Sequence, residues 1–141
     1  MFPIKSLEDL EKISKEAKWQ YFEKLAGWIF EQNDFEASVN RVIIFENDGE
    51  KRRRQYDIIA KRFDRMFLVE CKKWSGGRYK TSALKEAAAS HREKTDLFND
   101  EYGTEAIPLM VTFMQEDITE HEGVKIVPMG KLNFFLNEQT F

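Results

Sequence analysis

The chain has 141 residues, 42% hydrophobic and 13% aromatic, enough for one domain with a real core. No apolar run approaches the roughly 20 residues of a membrane span; the single cysteine, Cys71, excludes an intramolecular disulfide and fits a reducing, intracellular setting. The net charge of −3 argues against a nucleic-acid partner only as an average: residues 51–94 carry fourteen Lys/Arg against five Asp/Glu, and the remainder is acidic, so a basic centre can hold a polyanion locally.

The N-terminal stretch MFPIKSLEDLEK turns acidic and amphipathic at once and does not read as a signal peptide. Residues 6–35 read as helical, as one helix or two, with Lys15–Lys18 the weak region. Ser6 and Asp9 resemble a capping box. Phe22, Leu25, Ala26, Ile29 and Phe30 form an apolar stripe at helical spacing, and Asn33-Asp34 ends it. ASVNRVIIFE (37–46) is strand-like and runs into the turn signal NDGE. RRQYDIIAKR (53–62) and RMFLVECKK (65–73) are two further strands joined at RFD, so three strands at short spacing predict an antiparallel meander. SGGR (75–78) breaks the pattern. Residues 81–99 then read as a helix whose small face, with Ala83, Ala87, Ala88, His91 and Thr95, suits close packing on a sheet. AIPLMVTFM, GVKIVPM and KLNFFLNE add two strands and a closing helix. The order α β β β α β (β) α predicts an α/β sandwich with a mixed central sheet, a single domain over 1–141 with residues 1–17 as an added helical segment.

The chemistry is concentrated in FLVECKKW. On a strand, Glu70 and Lys72 share one face with Leu68 and Met66, while Phe67, Val69 and Cys71 share the other. Charged groups in an apolar strand call for a partner or a metal. One strand earlier, Asp57 interrupts YDIIA. Adjacent strands lie about 4.8 Å apart, so Asp57 and Glu70 can converge. Two hard oxygen donors suit Mg²⁺, which keeps several waters. A lysine beside them can orient or deprotonate an attacking water, or neutralise charge on a phosphate. Metal, lysine and basic surroundings together describe phosphodiester hydrolysis.

YDIIAKRFDRMFLVECKKW resembles the core of the PD-(D/E)xK nuclease superfamily, with Asp57 as the first acid and Glu70-Cys71-Lys72 as the ExK element. Residues 19–127 carry the likeness. Within the superfamily the chain is similar to the Mrr-like restriction endonucleases and archaeal Holliday-junction resolvases, whose leading helix carries a glutamate where Phe22-Glu23 stands here. It departs from them at Tyr56, where proline is common, and at Ser90-His91, where Mrr-like members often carry a glutamine. The resemblance implies a restriction-endonuclease-like three-layer α/β sandwich. It implies Mg²⁺, with Mn²⁺ as a substitute, held by Asp57, Glu70 and the backbone carbonyl of Cys71. Lys72 is then the catalytic lysine, and Glu23 holds that lysine, a water or a second metal.

Each residue also has a plainer expectation. Asp57 could be a structural carboxylate paired with Arg53 or Lys72, and Lys72 could simply be ion-paired to Glu70 or Asp57. Glu23 could be an exposed helix residue beside Lys18 or Lys24. His91, on an apolar helix face, is expected to be a satisfied structural histidine, and the Cys71 thiol a small buried hydrophobe. Lys73 and Arg78, with Trp74 and Tyr79 around the Ser-Gly-Gly loop, suit contacts to a nucleic-acid strand, as do Arg52 and Arg53. Trp74 could equally pack down on the helix, and Met110, Met114 and the NFF aromatics read as core or a dimer surface. The sequence reading is therefore a metal-dependent DNA endonuclease, structure-selective or weakly sequence-selective, acting as a homodimer and away from membranes. The competing readings are a non-catalytic nucleic-acid-binding module of the same fold, and an RNA substrate.

Overall fold

The computed structural model describes residues 19–72 and 80–138. The added N-terminal segment lies outside the described residues, as do Lys73, Trp74, Arg78 and Tyr79.

Helix α1 (Trp19–Gln32) presents Phe22, Leu25, Ala26, Ile29 and Phe30 to the core, as the spacing predicts. Its end is built by Asn33-Asp34. Asp34 takes a left-handed conformation (φ 68°); its N–H donates to the Glu31 carbonyl, and the Phe35 N–H reaches back to the Phe30 carbonyl. This crossed pair satisfies carbonyls that a helix end leaves bare. The rings of Phe30 and Phe35 then meet edge-on at 5.4 Å, the apolar contact that commonly locks such an end.

Strands β1 (Glu36–Asn47), β2 (Glu50–Arg62) and β3 (Arg65–Lys72) form the expected antiparallel meander. The two-residue loop Asp48-Gly49 has positive φ at both positions (52° and 82°), the backbone that lets a tight hairpin follow the strand twist. Helix α2 (Lys80–Tyr102) carries the chain across to β4 (Ile107–Thr112), which pairs parallel with β3. β5 (Glu120–His121) and β6 (Val124–Pro128) form a second hairpin, with β6 parallel to β4. Helix α3 (Met129–Asn137) ends the described fold. The six strands lie in the order β1-β2-β3-β4-β6-β5. The short β5 is an addition to the sequence reading: two residues carry no periodicity to detect.

α1 and α3 cover one face of the sheet and α2 the other. On the first face Phe22, Phe30, Phe67, Val69, Leu109, Val111 and Leu132 form a continuous core. On the second, Phe98 packs with Tyr56 and Leu68, and Leu84 and Ala88 pack with Met110 and Ile126. Met110 is core, whereas Met114 and Phe134 are exposed. Among the described residues no helix is long and apolar enough to cross a membrane.

Candidate active site

The site begins with a break in strand alternation. Ala37 and Val39 of β1 pack on the α1 side, yet Ile43 and Phe45 of the same strand pack on the α2 side. Strict alternation would keep all four on one face. β2 does the same: Ile58 and Ala60 pack toward α1, Tyr56 toward α2. Both strands therefore turn over between these residues. The pairing passes from Val39↔Ile58 to Arg41↔Tyr56, leaving Asn40 and Asp57 out, and Asn40 has a positive φ of 56°. Asp57 sits where the strand changes face, and its carboxylate is committed to neither layer.

β2 and β3 also part here. Their ladder ends at Ile58↔Val69, and in its place Asp57 Oδ2 accepts the Cys71 N–H at 2.8 Å. A residue's N–H and C=O point to the same side of a strand. The Cys71 carbonyl thus points into the same gap as Asp57, while the next carbonyl, of Lys72, turns to β4 and accepts the Phe113 N–H. The hydrogen bond described for Asp57 thus goes to the backbone.

Glu70 and Lys72 project on the α2 side. Lys72 Nζ lies 3.3 Å from Glu70 Oε2. Glu70 Oε1 is met at 3.3 Å by Lys94 Nζ from α2, which also donates to the Gln55 carbonyl at 3.0 Å and stands over the Tyr56 ring. The Tyr56 hydroxyl in turn donates to the Lys94 carbonyl, and burial pushes its pKa up to about 12. His91 donates from Nε2 to the Leu68 carbonyl at 2.7 Å. This leaves the buried Nδ1 without a partner among the described residues, so the histidine is only half satisfied. Burial lowers its pKa. Glu23 is 3% exposed, which rules out the solvated-helix expectation; its charge reaches Asp57 and Cys71 from the α1 side.

Asp57 and Glu70 respond to this setting in opposite directions. Burial, then the negative charge of Glu70, pushes Asp57 up to about 7; the Cys71 N–H only partly offsets them. Burial also opposes ionisation of Glu70, but Lys94, His91 and Lys72 together outweigh it and hold its pKa below the usual value. The Cys71 thiol is driven well above its ordinary range by burial and then by Asp57. It is an inert core group, as expected.

Among the described residues no three His, Cys, Asp or Glu side chains form a metal cage. What the gap offers is two carboxylates and a main-chain carbonyl, a sparse hard-oxygen set that suits an ion keeping several waters. One oxygen of Asp57 accepts the Cys71 N–H, and a cation beside the carboxylate would offset the burial and the Glu70 charge that raise its pKa. The residues fit a divalent cation on both counts.

Lys94 is the site residue the sequence reading passed over, counting it only among the basic residues. Its signal was helical spacing: Lys94 follows His91 by three residues, on the turn that faces the sheet. Of the basic pair on β2, Arg52 lines a cleft of about 450 Å³ that also touches Lys94, and Arg53 is exposed.

This architecture is the restriction-endonuclease-like fold. The chain aligns with the small subunit of the heterodimeric restriction endonuclease R.BspD6I at a TM-score of 0.58 and 15% identity, over 94% of this chain and 76% of that one. Protein VC1899 from Vibrio cholerae gives a TM-score of 0.56 at 18% identity over 84% of this chain. The protein of unknown function AF1548 gives 0.52 at 19% identity over 77%. The chain spans about a third of the Vibrio protein (32%) and 58% of AF1548. In sequence it is 32% identical over 124 residues to an uncharacterized protein of Archaeoglobus fulgidus, covering 88% of this chain and 93% of that protein. The chain belongs to the family of that archaeal protein. No family model matches it.

Proposed function

We propose that the chain is a metal-dependent nuclease of the PD-(D/E)xK type that hydrolyses phosphodiester bonds in DNA. The observation that carries this reading is the gap between β2 and β3, where Asp57, Glu70, Lys72 and the Cys71 carbonyl come together. The likeness to a restriction endonuclease subunit supports DNA as the substrate.

Asp57, Glu70 and the Cys71 carbonyl would hold Mg²⁺, or Mn²⁺ in its place, which supplies Lewis-acid charge at the scissile phosphate. Lys72, aimed by Glu70, orients the water that attacks phosphorus in line and neutralises charge developing on the phosphate. Glu23, buried on the α1 side, would hold the catalytic lysine or a metal-bound water. Arg52 and Arg53 would grip a nucleic-acid backbone away from the metal, and Lys73, Trp74, Arg78 and Tyr79 would contact the strand by phosphate binding and stacking. Two copies acting together would cut both strands of a duplex. The sheet edge β1, with Val42 and Ile44 exposed, offers a surface for that pairing. On this reading the chain works like the Mrr-like restriction endonucleases and junction resolvases, inside the cell.

The test is cleavage of supercoiled plasmid, single-stranded, flapped and four-way-junction DNA, each with Mg²⁺, Mn²⁺ or EDTA, alongside Lys72→Ala and matched RNA. We expect metal-dependent DNA cutting that drops at least about a hundredfold in Lys72→Ala. Undiminished cutting by that variant removes the site assignment. Binding without cutting favours a non-catalytic module of the same fold.

A further inference from the structure

Glu70 has an ammonium on each carboxylate oxygen: Lys72 from its own strand on Oε2, and Lys94 from α2 on Oε1. The two are held differently. Lys94 is 18% exposed in its side chain and is fixed by a carboxylate, the Gln55 carbonyl and the face of Tyr56. Its own backbone carbonyl is tied down by the Tyr56 hydroxyl. Gln55 lies two residues before Asp57, so Lys94 pins α2 to β2 and β3 at the point where they separate. The oxygens it engages, a carboxylate and a main-chain carbonyl, are the donor types that a hard divalent cation takes. Lys94 thus fills, with a tethered charge, the α2-side position where a second ion would be drawn to Glu70.

We propose that Lys94 is a positioning residue that replaces a second divalent cation at Glu70, so that the site works with one metal ion. This rests on the reading of Asp57 and Glu70 as the metal site. A fixed ammonium holds the Glu70 carboxylate in one orientation before any ion arrives. It also repels a second dication from the side where α2 closes the site, leaving the ion between Asp57, Glu70 and the Cys71 carbonyl.

Uptake of Mn²⁺ by the whole chain, measured without DNA through the loss of the free-ion electron paramagnetic resonance signal, tests this independently of activity. Wild type and Lys94→Arg are expected to take up one Mn²⁺ per chain, Lys94→Ala a second and weaker one, and Asp57→Asn to lose the first. Cleavage by Lys94→Ala should then depend sigmoidally on Mn²⁺ where wild type is hyperbolic. Circular dichroism checks that each variant is folded, and Lys94→Gln carries the same expectation if Lys94→Ala is not. Two ions in wild type, or a folded Lys94→Ala and Lys94→Gln that still take up one, overturn the proposal while leaving the metal site standing. No uptake by wild type removes the metal site itself, and this inference with it.

Discussion

On the α1 side of the sheet, Phe30, Phe35 and Phe67 interlock, and the ring contacts run on to Phe135 of α3. The α2 side also carries polar cargo: His91 bonds to β3, Lys94 to β2 and β3, and Thr95 is buried one turn on. The first face is held by apolar area removed from water. The second adds to its two apolar clusters a set of hydrogen bonds and ion pairs that yield little net stability and much geometry. The difference shows in the carboxylates. Asp57, at the turnover point and without a cation at hand, has its pKa raised; Glu70, between two lysines, has it lowered. One face builds the platform and the other sets charge upon it.

The sharpest break of this comparison is Phe67→Ala. It removes a ring that touches Phe30, Phe35 and Phe135, and is expected to cost about 3–5 kcal/mol in urea unfolding. A cost below that of any α2-side substitution would reverse the assignment of roles.

Asp57→Asn should give a smaller effect of opposite sign. The wild-type carboxyl holds its proton to about 7 in the folded chain, against an ordinary value of 3.8. Its contribution to folding is therefore complete below the unfolded value and is lost as pH rises through 7. Asparagine stays neutral and keeps an oxygen for the Cys71 N–H. In EDTA the variant is expected to be more stable than wild type by about 1–3 kcal/mol at pH 8, with little gain at about pH 3.5, below the unfolded value. An equal gain at both pH values would mean that ionised Asp57 is not strained by its site. Glu70 works the other way: its contribution is present above its unfolded pKa and is lost as pH falls through the lowered folded one.

Thr95→Val is expected to have the smallest effect. The buried Thr95 hydroxyl donates back to the His91 carbonyl one turn earlier, a bond a helix spares easily. Thermal melting should shift by the equivalent of less than about 1 kcal/mol. A larger loss would show that the polar layer on α2 does hold the fold.

Much of this was legible in the chain. The stripe in α1, the Asn-Asp stop, the three-strand meander and the small face of α2 are periodic or turn signals, and each lies within a few residues of its cause. The partition of β3 into Phe67/Val69/Cys71 and Leu68/Glu70 follows from two-residue alternation alone. Alternation misleads in β1 and β2, because the inversion at Asn40 and Asp57 depends on two strands turning over together.

By itself the sequence determined the described elements other than the short β5, their order and the pair of acids with a lysine two residues beyond, since hydrophobic period and turn chemistry are local. Only the tertiary structure decided that Asp57 caps the Cys71 N–H, that Glu23 is buried, and that Lys94 reaches Glu70 from 24 residues away. Each of these depends on how far β2 and β3 separate and how α1 and α2 are rotated on the sheet. Those settings come from the packing of all the layers at once, and no stretch of the chain encodes them alone.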